Sequence, residues 1–192
     1  MKKIILSALA VCAFTFASAQ DKSGAGLASG NIVLAGDVSF NSSAKADAKS
    51  SNFMLSPGLG YMMSDNLMLL GQVAISSGTA NPGTPGAVDS KTSGLGLNAG
   101  VRYFFTPADK FSLSLGGGLG YNSSKVDEAK TNTLALSVPV GLHYFMNNNF
   151  AINATWGGLG YSSSKTDGSE ATNALSLGLN MSSISFGLLY KL

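Results

Sequence analysis

The sequence predicts an all-β protein, a transmembrane, eight-stranded, antiparallel up-and-down β-barrel. Three observations predict it. Charged residues make up only 11% of the 192-residue chain, and glycine numbers 24; a soluble domain would carry about 25% charge. Beyond the first residues, no apolar run reaches the ~20 residues that a membrane-crossing helix needs. Apolar side chains instead recur at every second position in successive segments, as they do in strands that turn one face to lipid.

The N-terminus has the anatomy of an export signal. Lys2 and Lys3 precede an apolar run over residues 4–16, and the small triplet Ala17-Ser18-Ala19 stands before Gln20. Residues 1–19 are therefore expected to be a cleaved signal peptide, residues 20–29 a flexible periplasmic segment, and residues 30–192 the barrel. A lipoprotein box at Leu9-Ala10-Val11-Cys12 is the weaker reading, because Val11 is bulky and the apolar run continues beyond Cys12. Cleavage removes Lys2, Lys3 and Cys12, so the formal charge falls from +2 to zero and no thiol remains. That excludes thiolate and disulfide chemistry. With Arg102 the single arginine and no basic cluster, nothing points to a nucleic-acid surface.

The segments follow in order. In the first, Ile32, Leu34, Gly36, Val38 and Phe40 form the outward face; in the second, Phe53, Leu55, Pro57, Leu59, Tyr61 and Met63. The third presents Leu67, Leu69, Val73 and Ile75, and the fourth Leu95, Leu97, Ala99, Val101, Tyr103 and Phe105. Phe111, Leu113, Leu115, Leu119 and Tyr121 mark the fifth, and Leu134, Leu136, Val138, Val140, Leu142 and Tyr144 the sixth. The seventh runs Phe150, Ile152, Ala154 and Trp156, then changes parity at Gly157-Gly158 before Leu159 and Tyr161, which reads as a β-bulge. The eighth slips likewise at Ser182-Ser183, between Leu175, Leu177, Leu179, Met181 and Ile184, Phe186, Leu188, Tyr190, Leu192. A turn there would make nine strands; an even count, with both termini in the periplasm, is the rule for such barrels and favours eight.

Connections alternate between tight turns at residues 64–66, 106–109 and 147–149 and longer polar stretches at residues 42–50, 78–91, 123–130 and 163–172. The first set is expected on the periplasmic side and the second outside. Charged residues gather in the connections, and within the strands only Asp37 and Arg102 remain, both facing inward. This matters because a lipid-facing Arg or Lys at mid-depth costs about 2–4 kcal/mol. Even-numbered strands end in a G-x-x-Y step, at Tyr61, Tyr103, Tyr144 and Tyr190, and Phe111 and Phe150 open the next odd strands. Together these six read as an aromatic girdle at the periplasmic interface.

These features resemble the small outer-membrane β-barrel proteins of Gram-negative bacteria, often grouped as porin-family or outer-membrane-protein β-barrel domains. The resemblance spans about residues 30–192 and includes the terminal alternation of Phe186, Leu188, Tyr190 and Leu192, like the signal read by the barrel-assembly machinery. The family's usual last residue is Phe, from which Leu192 departs. The resemblance implies a bacterial outer-membrane location and no common ligand, its members including structural proteins, adhesins, narrow channels and a few enzymes.

The candidate lumen residues are Asp37, Arg102 and His143, with an ion pair between Asp37 and Arg102 across the lumen as one reading and separate hydration as the other. His143, the single histidine, points inward just above a turn. That position suits a hydrogen-bonded lumen residue better than a catalyst or metal ligand, so no enzymatic activity, metal or cofactor is expected. The runs Gly94-Leu95-Gly96 and Gly116-Gly117-Gly118-Leu119-Gly120 lack the helix that a phosphate loop requires and fit a narrow, curved barrel wall. Small inward residues leave room for a water path, whereas Met54, Met62, Met68, Leu70, Phe104 and Phe145 crowd the lower lumen. Two functions lead: a structural or surface-interaction barrel, and a narrow passive channel for small solutes. A soluble periplasmic ligand-binding barrel comes third, against the apolar outer face. The expected partners are outer-membrane lipids and the assembly machinery, with no nucleic acid and a monomeric state.

Overall fold

The computed structural model describes residues 26–45, 47–84, 88–178 and 185–192. The expected signal peptide and the slip at Ser182-Ser183 lie outside them. Nine strand segments follow in chain order: β1 (Ile32–Lys45), β2 (Ala48–Met62), β3 (Leu67–Asn81), β4 (Ser90–Phe104), β5 (Phe111–Val126), β6 (Ala129–Phe145), β7 (Phe150–Thr166), β8 (Thr172–Gly178) and β9 (Ser185–Lys191). From β1 to β8 each segment pairs antiparallel with the next, and the ladder closes where β1 meets β9, from Val33↔Lys191 to Asp37↔Gly187. β8 and β9 both run antiparallel to β7, β8 along residues 158–164 and β9 along residues 150–155, so they are two halves of one eighth strand. The result is a closed eight-stranded barrel. Both described chain ends lie at the same rim, called proximal here, with the four long hairpins at the distal rim.

Side-chain direction follows the alternation read from the sequence. Val38, Phe40, Leu59, Leu97 and Leu136 are more than half exposed, while their inward neighbours Val33, Met62, Met68, Phe104 and Phe145 are sealed inside. The wall is thus an apolar band around an interior that packs against itself, the arrangement that satisfies every backbone group within the sheet. The strands are longer than the ~10 residues that a transmembrane strand needs. β3 has 15 residues and β7 has 17; at ~3.3 Å per residue and a tilt of ~40°, fifteen residues rise about 38 Å, well beyond a ~25 Å apolar band. Most of the residues read as long distal connections are therefore hairpin extensions, and Lys45, Lys49, Lys91, Lys125, Lys130 and Lys165 stand on strands after all. The paired polar side chains explain why the ladder continues: Ser51 Oγ lies 3.0 Å from Thr79 Oγ1, Thr131 Oγ1 2.7 Å from Thr166 Oγ1, and Thr133 Oγ1 2.8 Å from Ser164 Oγ.

The bulge in β7 is present. The β6–β7 register shifts between Val138 and Val140, and Gly157 and Gly158 take φ of 46° and 110°. A Cβ on Gly158 would run into the Val138 carbonyl oxygen, so position 158 needs glycine for both backbone conformation and space. Gly158→Ala is expected to lower unfolding stability by about 1–3 kcal/mol or more. Gly178→Ala, where a Cβ meets nothing within 4 Å, is expected to change it by less than about 0.5 kcal/mol. Urea midpoints of the two variants refolded into vesicles check this, and equal midpoints would refute it.

At the tip of the β5–β6 hairpin, Asp127 has a φ of 53° and its carboxylate accepts from Lys91 N at 2.8 Å and Ser90 Oγ at 2.7 Å. It thereby stitches that hairpin to the start of β4. These bonds hold the carboxyl below the usual carboxylate range. Because the folded value is the lowered one, the contribution is complete above the ordinary aspartate value of about 3.9 and is lost as pH falls through the folded value. The Lys91 amide resonance is expected to titrate below that ordinary value in the wild type and not at all in Asp127→Asn.

Candidate functional site in the lumen

The interior has two regions and a boundary. At the proximal end, Val33, Met62, Met68, Phe104, Phe145, Ala151 and Leu189 are 0–1% exposed and form a continuous apolar layer with Leu27, packed on Ala35 and Leu70. Each barrel-borne member comes from an inward position near the proximal end of its strand, so alternation delivers apolar side chains from every strand but β5 to one level, with the small Ala151 from β7. Met62, Met68, Phe104, Phe145 and Leu70 were read from the sequence as crowding this half; Met54 lies higher, outside the layer.

The floor is completed by the N-terminal segment. Where residues 20–29 were expected to be flexible, residues 26–29 cross beneath the lumen and are tied at several points. Leu27 N donates to Pro107 O at 2.7 Å, Ser29 N to Asp65 Oδ1 at 2.9 Å, and Lys191 Nζ to Gly26 O at 2.9 Å. Leu27 is 2% exposed, a plug residue contributed by the segment rather than by a strand. Lys191 is 6% exposed and inward, not a rim charge as its terminal position suggests; the parity of Phe186, Leu188 and Tyr190 is the signal that places it there.

Above the plug lies a polar layer holding all three candidate lumen residues. Ser114 Oγ lies 2.8 Å from His143 Nε2, and the two residues are 0–1% exposed. The His143 ring rests against Phe104 with centroids 4.8 Å apart, and its buried Nδ1 has no hydrogen-bond partner among the described residues. Sequence reading left this serine unnoticed, although Ser114 and His143 are both inward and two residues apart in the β5–β6 register. Asp37 Oδ2 accepts from Gln72 Nε2 at 3.3 Å. Arg102 feels the charge of Asp37 through space, and His143 that of Arg102; the three thus form one electrostatic cluster, with Gln72 as the hydrogen-bonded partner of Asp37. Gly187 faces this cluster from β9, and a Cβ there would collide with the carboxylate of Asp37 and press on Asn153 Oδ1.

On the outer face, Tyr61, Tyr103, Phe111 and Tyr144 are about half exposed, and Phe150 and Tyr190 are partly covered. The register sets Phe111 opposite Tyr144 and Phe150 opposite Tyr190, which brings these residues to the proximal level. Tyr103 stacks edge-on against Phe105 with centroids 5.4 Å apart. A second aromatic level, not singled out in the sequence, comprises Phe40, Phe53, Tyr121 and Tyr161. Tyr121 and Tyr161 place their hydroxyls on Asn132 Oδ1 at 3.1 Å and Asn173 Oδ1 at 3.3 Å. The ten residues between Phe111 and Tyr121 set the two levels about 25 Å apart, the height of an apolar band. In the C-terminal segment Phe186 and Leu188 are exposed outward, and Tyr190 and Leu192 are partly covered. Among the described residues no group of three or more His, Cys, Asp or Glu side chains is placed to hold a metal ion.

The chain matches the family described as outer membrane protein beta-barrel domain over residues 4–191. It belongs to that family. Among solved structures, its fold is similar to that of the outer membrane protein OprG from Pseudomonas aeruginosa, with a TM-score of 0.57 and 14% identity over 88% of this chain and 99% of that one. Neisserial surface protein A (NspA) aligns with a TM-score of 0.43 and 20% identity over 86% of this chain and 99% of that one. No curated protein matches. The chain is thus an outer-membrane β-barrel protein.

Ser114→Ala is expected to destabilise the barrel by about 1–3 kcal/mol, since it leaves a buried imidazole with neither nitrogen bonded. Ser124→Ala, in the open distal half, is expected to have an effect below about 0.5 kcal/mol. Urea unfolding followed by tryptophan fluorescence measures both.

Proposed function

We propose that this protein is a sealed, monomeric outer-membrane barrel with a structural or surface-interaction role. The observation that carries this reading is the apolar layer of Phe104, Phe145, Met62 and Met68, which crosses the lumen and is capped from below by Leu27. A hydrated ion passing this layer would lose its water to side chains that offer no hydrogen bond in exchange. The proximal rim, with both termini, is assigned to the periplasm, and the polar hairpin extensions to the cell exterior. In that orientation Tyr61, Tyr103, Phe111, Tyr144, Phe150 and Tyr190 anchor the periplasmic boundary. Phe186, Leu188, Tyr190 and Leu192 present the outward pattern that the assembly machinery would engage, after export directed by residues 1–19.

A non-enzymatic role fits the same geometry. The Ser114–His143 pair has the composition of a nucleophile and base, but both residues are sealed between the plug and the wall. An acyl or phosphoryl group has no approach to Ser114 Oγ, and nucleophilic catalysis needs one.

The second reading, a narrow passive channel, is favoured by the open distal lumen, where inward positions carry Gly, Ser, Asn and Thr. It requires the plug to part. In planar bilayers the refolded chain from Gln20 is expected to give no discrete openings, whereas Met68→Ala combined with Phe104→Ala is expected to give reproducible ones. Regular openings from folded wild-type protein would overturn the sealed-barrel reading in favour of the channel.

A further inference from the structure

Directly above the polar layer the lumen holds a cavity of about 160 Å³, lined on its inner side by Gln72, Asn98, Arg102 and Ser137 and by the glycine stripe that includes Gly116 and Gly118. That is room for several waters or for an ion of a few heavy atoms. Arg102 is its only charged lining residue among those described. Asp37 stands outside the lining, with its carboxylate on Gln72. No acceptor among the described residues hydrogen-bonds the Arg102 guanidinium, so its N–H donors are left to whatever fills the cavity. Asn98 is exposed although it faces inward, so solvent reaches this level of the barrel.

The Arg102 guanidinium meets the charge of Asp37 only through space, so its N–H donors are open to a ligand that accepts from them directly. Its planar fork is complementary to two oxygens of one anion, a geometry that a single water cannot match. Cations are disfavoured because the nearest lining charge is positive, and apolar ligands would strand Asn98 and Ser137. The glycines shape the space: at Gly118 a Cβ would make only ordinary contacts, 3.5 Å from Ser137 Oγ and 3.6 Å from Ala99 O. Glycine at that position therefore keeps the cavity open rather than relieving a clash. We propose that this cavity binds a small oxyanion, a carboxylate or phosphate group, through Arg102, with Asn98 and Ser137 completing its contacts. The site does not depend on which rim faces the cell, nor on whether the plug beneath it is sealed.

Isothermal titration of the refolded chain from Gln20, in non-ionic detergent at constant ionic strength, tests this with sodium acetate, sodium phosphate and, as a control, sodium chloride. The expected result is one saturable site for acetate or phosphate, weakened at least about tenfold in Arg102→Gln. Saturation by acetate alone assigns a carboxylate ligand, and by phosphate alone a phosphoryl ligand. Gly118→Leu fills the cavity while leaving Arg102 in place, and is expected to abolish binding. If Arg102→Gln does not fold, as judged by heat-modifiable gel mobility, Gly118→Leu decides. Absence of saturable binding to folded wild type, equal binding of chloride, or binding undiminished by Gly118→Leu would each overturn the proposal.

Discussion

Everything in this barrel depends on one ladder being closed. A strand edge exposed to lipid would leave backbone N–H and C=O groups without partners, each at a cost of several kcal/mol. The β1–β9 pairing from Val33 to Asp37 joins the two ends of the sheet. The last residues of the chain reinforce it: Leu192 N donates to Ile32 O at 2.9 Å and Lys191 N to Asn149 O at 2.7 Å. Closure also determines the interior. Once β1 meets β9, the inward side chains of every strand share one narrow space, and their sizes decide what that space is.

Much of this was legible because period two is a strong local signal. Alternation in residues such as Leu95, Leu97 and Val101 reports the pleat directly, and the parity change at Gly157-Gly158 marked a bulge that the backbone makes with two positive φ angles. Strand length was less legible. Ser, Thr and Asn pairs such as Thr131–Thr166 read as loop by composition, yet they continue the ladder into water, where cross-strand hydrogen bonds replace lipid burial. Tertiary closure was hardest to foresee. Nothing local in Gly26-Leu27-Ala28 announces that it crosses the proximal lumen, since its partners Pro107, Asp65 and Lys191 are distant in sequence. The Ser114–His143 contact was hidden for a related reason. It depends on inter-strand register, and alternation gives the face of a residue but not the level at which it meets its neighbour.

The interior illustrates how one sheet can carry two solvents. Near the proximal rim the inward positions are Met and Phe, close-packed and dry. Toward the distal rim they are Gly, Ser and Asn, and water enters. A sharp transition between these zones would leave polar atoms facing apolar ones, and the layer of Asp37, Gln72, Ser114, His143 and Asn153 mediates it. Most of those groups have an identified partner inside the layer or a route to solvent. The His143 Nδ1 is the exception, and its isolation follows from the ring lying on Phe104 at the top of the plug.

Arg102 sits where these constraints meet. Its Cα neighbours across the ladder are Met68 on one side and Gly116 on the other, so the residue stands between the bulk of the plug and the emptiest part of the wall. A larger residue at 116 would occupy the space beside the guanidinium, and a Cβ there already approaches Pro139 Cγ at 3.0 Å. The long arginine side chain therefore extends along a wall built without side chains. The same glycines that permit strong curvature leave β5 without an acceptor beside Arg102, whose countercharge, Asp37 on β1, acts through space. The unfilled space beside the guanidinium thus has its origin in the composition of β5.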